Sequence, residues 1–296
     1  MTTSRKLVPQ GLPIAGARAI LGLGLLGLLG GSCGDSNGPE GANPDLDTAT
    51  QEVLTPKDPE LVEQDEAKLG HAFRQLGAGD LNGCRATAME VLENNPAPAT
   101  RARAEFMVAL SYHKAKQYAD ARPHFDKASQ GPDFQGKPAL PYFQGWCYFW
   151  LGELDAAEAS FQAHLAHTNE ADSHFGLGVI ALDRGDNPAA KVALQSALEL
   201  FEAKLASGDQ GAKRDLAKTH ARLADVDLEN EDLQLAKQHL QLAVELDSER
   251  SAVWYKLYQI YLEEGEGASA AAALAEYKRC LDSSPSTSGM ATEGGL

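Results

Sequence analysis

Three histidines crowd one stretch of this 296-residue chain: His164, His167 and His174. His164 and His167 stand at i and i+3, one face of a helix, and neutral imidazole binds zinc or copper well. His164 also falls where a recurring helical pattern, described below, wants a small buried residue. It is read as an interface histidine, and no metal is assigned. Four cysteines, Cys33, Cys84, Cys147 and Cys280, form no C-x-x-C pair and suit neither a zinc site nor a disulfide framework. Cys84, Cys147 and Cys280 read as small buried hydrophobes. "GLGLLG", from Gly22 to Gly27, spells the dinucleotide-binding G-x-G-x-x-G. No strand precedes it and no amphipathic helix follows, so it is set aside. No H-E-x-x-H, P-loop, G-x-S-x-G or paired-carboxylate arrangement stands in a plausible context. The expectation is no catalytic residue, no metal and no cofactor.

The other concentration of functional side chains is aromatic. "PYFQGWCYFW", residues 141–150, holds nearly a third of the chain's aromatic rings. A helix from about Pro141 to Leu151, with proline in its first turn, would carry two stripes. Gln144, Gly145 and Tyr148 form one. Tyr142, Phe143, Trp146, Phe149 and Trp150 form the other, at i, i+1, i+4, i+7 and i+8. A helix apolar all round is either fully buried or presents one face to a partner. An exposed apolar patch of that size usually binds something. The second stripe is therefore a groove for an apolar peptide or helix, or it is covered by tight curvature or by the N-terminal segment.

The elements that position these rings repeat. "GDLNGCRATAMEVLENNP" at Gly79, "KQYADARPHFDKA" at Lys116, "GELDAAEASFQAHL" at Gly152, "GDNPAAKVALQSAL" at Gly185 and "EDLQLAKQHLQLAVEL" at Glu231 share one plan. A turn is followed by a small residue, a larger apolar residue four later and usually another small one. The small residues are Cys84, Ala121, Ala157, Ala190 and Ala236, with Ala273 in a sixth unit that carries three extra residues. Their apolar partners are Phe125, Phe161, Leu194, Leu240 and Tyr277, with Ala88 weak in the first unit. Twelve residues before the small residue sits another: Ala72, Ala109, Gly145, Gly178 and Ala224. Close helix crossings need small residues at such places.

This pattern resembles the tetratricopeptide repeat (TPR) family over residues 61–282, six units long. The expected fold is an all-α solenoid of about six helix-turn-helix repeats with degenerate ends. Between the fourth and fifth units an insertion, "ELFEAKLASGDQGAKRD", should lengthen one helix and add a loop. In TPR proteins the second face of each first helix lines a concave groove. By that resemblance the groove holds Phe106, Met107, Leu110 and His113 from unit two, the second stripe from unit three, and Phe175, Val179 and Leu182 from unit four. Phe73 and Leu76 come from unit one. The groove lacks the Lys/Arg/Asn cluster that some TPR domains use to clamp a terminal carboxylate.

The ends read differently. Arg5, Lys6 and Arg18 precede "AILGLGLLGLLGGSC", too short an apolar run for a bilayer span. Residues 1–32 read as a signal peptide. "LLGGSC" resembles the lipobox of bacterial lipoproteins, although Gly30 stands where leucine is usual, and the resemblance makes Cys33 the lipidated residue. Residues 33–60 are a disordered tether, spanning roughly 30 Å as a coil and about 90 Å stretched. Residues 283–296 are a disordered tail. The net charge is −16 and the leader is cationic, so the remainder repels nucleic acid and anionic headgroups and favours cationic or neutral partners.

These features point to a non-enzymatic interaction scaffold or assembly adaptor, lipid-anchored at the bacterial cell envelope on the periplasmic face of the outer membrane. Its partners would be other envelope proteins, held in the groove. The rival reading is a periplasmic protein that binds a small ligand or metal through the rings or the histidines.

Overall fold

A computed structural model describes residues 58–283. The expected signal peptide, Cys33, the tether up to residue 57 and the tail from 284 lie outside the described residues. Among those described, twelve α-helices form six antiparallel pairs. These are α1 (Pro59–Ala78) with α2 (Leu81–Glu93), α3 (Pro98–Lys114) with α4 (Tyr118–Gln130), and α5 (Leu140–Trp150) with α6 (Leu154–Leu165). Then come α7 (Ala171–Asp183) with α8 (Asn187–Ala206), α9 (Ala212–Glu229) with α10 (Leu233–Leu246), and α11 (Ser251–Glu263) with α12 (Gly267–Ser283). Each helix packs on the one before and the one after. The first helices of the pairs also touch in series, from α1 and α3 through to α7 and α9, so they form the inner layer of the stack.

One backbone device closes every pair. One or two residues past each first helix the backbone is left-handed: Gly79, Lys116, Gly152, Gly185, Glu231 and Gly265 have φ between 60° and 83°. The next N–H then donates back across the turn, as in Asp186 to the Ala181 carbonyl at 2.8 Å and Glu266 to the Tyr261 carbonyl at 2.8 Å. Aspartates at this place cap the second helix. Asp80, Asp186 and Asp232 accept from the backbone N–H three residues on, at 2.8–3.1 Å.

The same turn corrects the register of the last pair. Five residues after each left-handed residue comes the small one, and after Gly265 that residue is Ala270, 2% exposed. There are no three extra residues. Ala273 is also buried, at 2%, one helical turn further on. In an alanine-rich helix several positions satisfy the small-residue rule, and only the turn distinguishes them.

The small residues let large side chains act as wedges between helices. Phe161 on α6 is fully buried between the backbones of α5 and α7. A Cβ on Gly145 would lie 2.7 Å from its ring, and one on Gly176 2.6 Å. Leu194 stands in the same relation to Gly178, at 2.6 Å. The insertion lengthens both helices that flank it. α8 and α9 reach 20 and 18 residues, and the added turns bury Phe201 and Leu216 against Ala171 and Ala197.

Candidate partner-binding cleft

The two stripes of α5 divide as follows. Gly145 faces Phe161. Tyr148 reaches the preceding pair, its hydroxyl donating to Asp126 Oδ1 of α4 at 2.7 Å, and burial with that hydrogen bond raises its pKa. The second stripe is graded along the helix. Phe143 packs edge-on against Phe106 at 6.0 Å and His113 at 5.7 Å. Tyr142 and Trp146 lean on Phe161 at 6.3 and 5.2 Å, and burial pushes the Tyr142 hydroxyl up to about 12. Only the end of the helix is open. Trp150 is 59% exposed, stacked on Tyr118 at 5.9 Å with rings 13° apart, and Phe149 stands edge-on beside it at 5.3 Å.

The structure places the unit-two groove residues in the core. Phe106, Met107 and Leu110 are 3%, 4% and 7% exposed, too little surface for a partner. The cause is the connection between α4 and α5. Gly136, at φ 102°, turns the chain so that Phe134 lies on Phe106 at 5.5 Å. Part of the inner face is thus filled by the chain's own loop, a segment outside the helical pattern. His113 is enclosed there by Tyr118, Phe125 and Phe143. Its Nε2 has no hydrogen-bond partner, and burial lowers its pKa to about 4. Val179 is 6% exposed, and Phe175 is half-buried against Trp146 at 6.2 Å.

What remains open is a cleft of about 610 Å³ across α5, α7, α9 and α11. One wall is Trp146, Phe149, Trp150, Phe175 and Val179. The facing wall carries Arg214, Lys218 and Arg222 from α9, with Arg250 and Lys256 from the start of α11. The cleft does carry cations, which the sequence reading did not place there. The cations come from the fifth and sixth pairs, and Arg214 sits in the insertion that breaks the repeat. A search of side chains next to the rings in sequence could not find them.

No protein-family model matches the sequence, and no curated protein matches it. Solved structures do match. PilW, a widely conserved type IV pilus biogenesis factor, superposes with a TM-score of 0.60 at 16% identity, over 75% of this chain and 96% of PilW. PilF of Pseudomonas aeruginosa gives 0.59 at 14% identity, over 76% of this chain and 95% of PilF. The APC/C hetero-tetramer Cut9–Hcn1 gives 0.59 at 19% identity over 77% of this chain, which spans 43% of the matched chain. The fold is a TPR-type α-solenoid. Its six helix-turn-helix pairs and its inner layer of first helices are the architecture that the repeat implied.

Within the solenoid two of the three histidines take local partners. His164 Nδ1 lies 2.7 Å from Ser173 Oγ in the interface between α6 and α7, the interface role expected of it. His174 Nε2 lies 3.0 Å from Asn169 Oδ1. Among the described residues no group of three or more His, Cys, Asp or Glu side chains is placed to hold a metal ion. Cys84 and Cys147 are buried free thiols, and Cys280 is buried. Burial pushes Cys84 and Cys147 up to about 11, against the pull of Arg85 and Arg122 respectively. Sequence reasoning missed a second imidazole pair, His220 and His239, with Nδ1 atoms 3.0 Å apart beside buried Asp227.

Proposed function

We propose that this chain is a non-enzymatic protein-interaction scaffold of the bacterial cell envelope, anchored through a lipid on Cys33, which holds an apolar segment of a partner in the cleft. The observation that carries the reading is the open aromatic wall. Trp150 projects from the end of α5, 59% exposed, and half-buried Trp146 and Phe149 continue the wall beside it. An exposed tryptophan stacked on tyrosine costs little to desolvate and offers a large rigid contact, the kind of side chain that dominates interface energetics. The catalytic alternatives are weaker, because His113, His164, His220, His239 and the described cysteines are taken up by packing and local hydrogen bonds. PilW, of similar fold, is a pilus biogenesis factor, and an assembly role suits an inner face that cradles a partner.

Anchoring rests on "LLGGSC". Two variants separate the two halves of the proposal. Cys33→Ser should move the protein from the membrane to the soluble fraction, and unchanged fractionation removes the anchor. Phe149→Ala with Trp150→Ala should keep the helical signal yet lose co-purifying envelope proteins from detergent-solubilised membranes. Retention of every wild-type partner removes the cleft.

A further inference from the structure

The wall opposite the rings has the wrong charge for this chain. The protein is acidic, at −16, yet the cleft gathers five cations against three acids, Asp225, Asp247 and Glu249. Those acids are already engaged. Asp225 serves two cations at once, Arg222 at 3.1 Å and Lys256. Asp247 meets Arg250 at 3.5 Å. Glu249 turns away to Arg279 on α12, at 2.9 Å. Lys218 is met by Asp215 at 2.7 Å. Arg214 is exposed and has no side-chain partner among the described residues, and Arg250 Nε is buried without one.

The start of α11 adds to this. Ser251, Ala252 and Val253 line the cleft as the first turn of a helix that no side chain caps. A helix N-terminus presents free N–H groups and about half a positive charge. The cations are spread as well as numerous. Arg214, Lys218 and Arg222 stand four residues apart on α9, a stripe of about 12 Å, with Arg250 and Lys256 beside it on α11. One carboxylate cannot span that distance. Several side-chain carboxylates along a chain segment can.

We propose that the occupant of the cleft is an internal acidic segment of a partner protein. It would set one or two large apolar side chains on Phe149, Trp150 and Phe175, and flanking Asp or Glu side chains on the α9–α11 wall. This rests on the preceding reading of the cleft as a protein-binding site and adds the chemistry of what is bound. The charge of the whole chain and that of the cleft then act separately. The acidic exterior repels acidic polymers in general, and only a segment with an apolar anchor reaches the cationic wall.

The test is selection of random 12-residue peptides on the purified full chain, followed by calorimetric affinities of the enriched peptides. Selected peptides should combine Phe, Trp or Leu with two or more flanking Asp or Glu, and should bind more weakly as salt rises. Arg214→Gln, which breaks no ion pair among the described residues, should weaken them about 2- to 5-fold. Trp150→Ala should weaken the same peptides roughly 30-fold. Apolar peptides without acids, sensitive to Trp150→Ala but not to Arg214→Gln, would overturn the acidic occupant and leave the protein-binding cleft standing. Acidic peptides indifferent to both variants bind elsewhere and would also overturn it. No enrichment on a chain that circular dichroism shows to be helical would remove both readings. Concentration-dependent self-association abolished by Trp150→Ala would assign the cleft to a second copy instead.

Discussion

Gly176→Ala and Gly70→Ala should change stability in opposite directions, although both place alanine within a helix. Alanine is favoured over glycine in a helix interior by about 1 kcal/mol. At Gly70 on α1 the nearest atom to a new Cβ is a flexible Arg74 nitrogen, 3.8 Å away, so the gain should be nearly complete. At Gly176 the new methyl would lie 2.6 Å from Cε2 and Cζ of Phe161, about 1 Å inside a normal carbon–carbon contact. The ring cannot retreat, because the backbone of Gly145 closes its other side. Overpacking of this kind costs about 1–3 kcal/mol, leaving a net loss of up to about 2 kcal/mol once the helical gain is subtracted. Urea denaturation followed by circular dichroism reads both changes. If Gly176→Ala stabilises as much as Gly70→Ala, Phe161 is not wedged between α5 and α7, and the repeat packing described here is wrong.

The rings of α5 should separate in the same assay. Trp150→Ala should cost less than about 1.5 kcal/mol, since it loses little beyond one stacked pair, whereas Trp146→Ala should cost about 3–5 kcal/mol through its contact with Phe161; equal costs would contradict the graded stripe. Stability should fall as pH drops from 6.5 to about 4, because His113 has a native pKa of about 4, below its ordinary value. In that window the unfolded chain holds the extra proton, so the neutral histidine stabilises the fold above pH 6.5 and its contribution fades toward pH 4. The size is about 2–3 kcal/mol, and His220, also lowered to about 4 by burial, acts in the same direction. His113→Phe should flatten part of this slope in urea melts at stepped pH. Cys84 and Cys147, buried and pushed up to about 11, should resist iodoacetamide at pH 8 until the chain unfolds; rapid labelling of the native protein would show that those interfaces open.

The solenoid was legible because its signals are local and recur. Cys84, Ala121, Ala157, Ala190 and Ala236 are each fully buried at a helix crossing, and each follows a turn that sequence alone marks. The sixth unit was misread because Ala270 and Ala273 are chemically alike, and a left-handed Gly265 decides between them. The cleft was half legible. Trp150 and Phe149 follow from helical periodicity, but the burial of Phe106 depends on where a nine-residue connection puts Phe134, which no period encodes. The cationic wall was invisible for another reason. Arg214 and Arg250 lie far from the rings in sequence and reach them through the curvature of the stack. That curvature follows from how several pairs pack, and no single repeat contains it.

A photo-crosslinking amino acid placed at Trp150 and, separately, at Val192 tests the central claim most directly. Both positions are well exposed, at 59% and 67%, but Trp150 opens on the cleft and Val192 lies on α8, a second helix of its pair. Irradiation of intact cells, followed by purification under denaturing conditions, should give one discrete crosslinked protein from position 150 and none from position 192. The same adduct from both positions, or an adduct from position 192 alone, would contradict the claim that this solenoid meets its partner through the aromatic cleft.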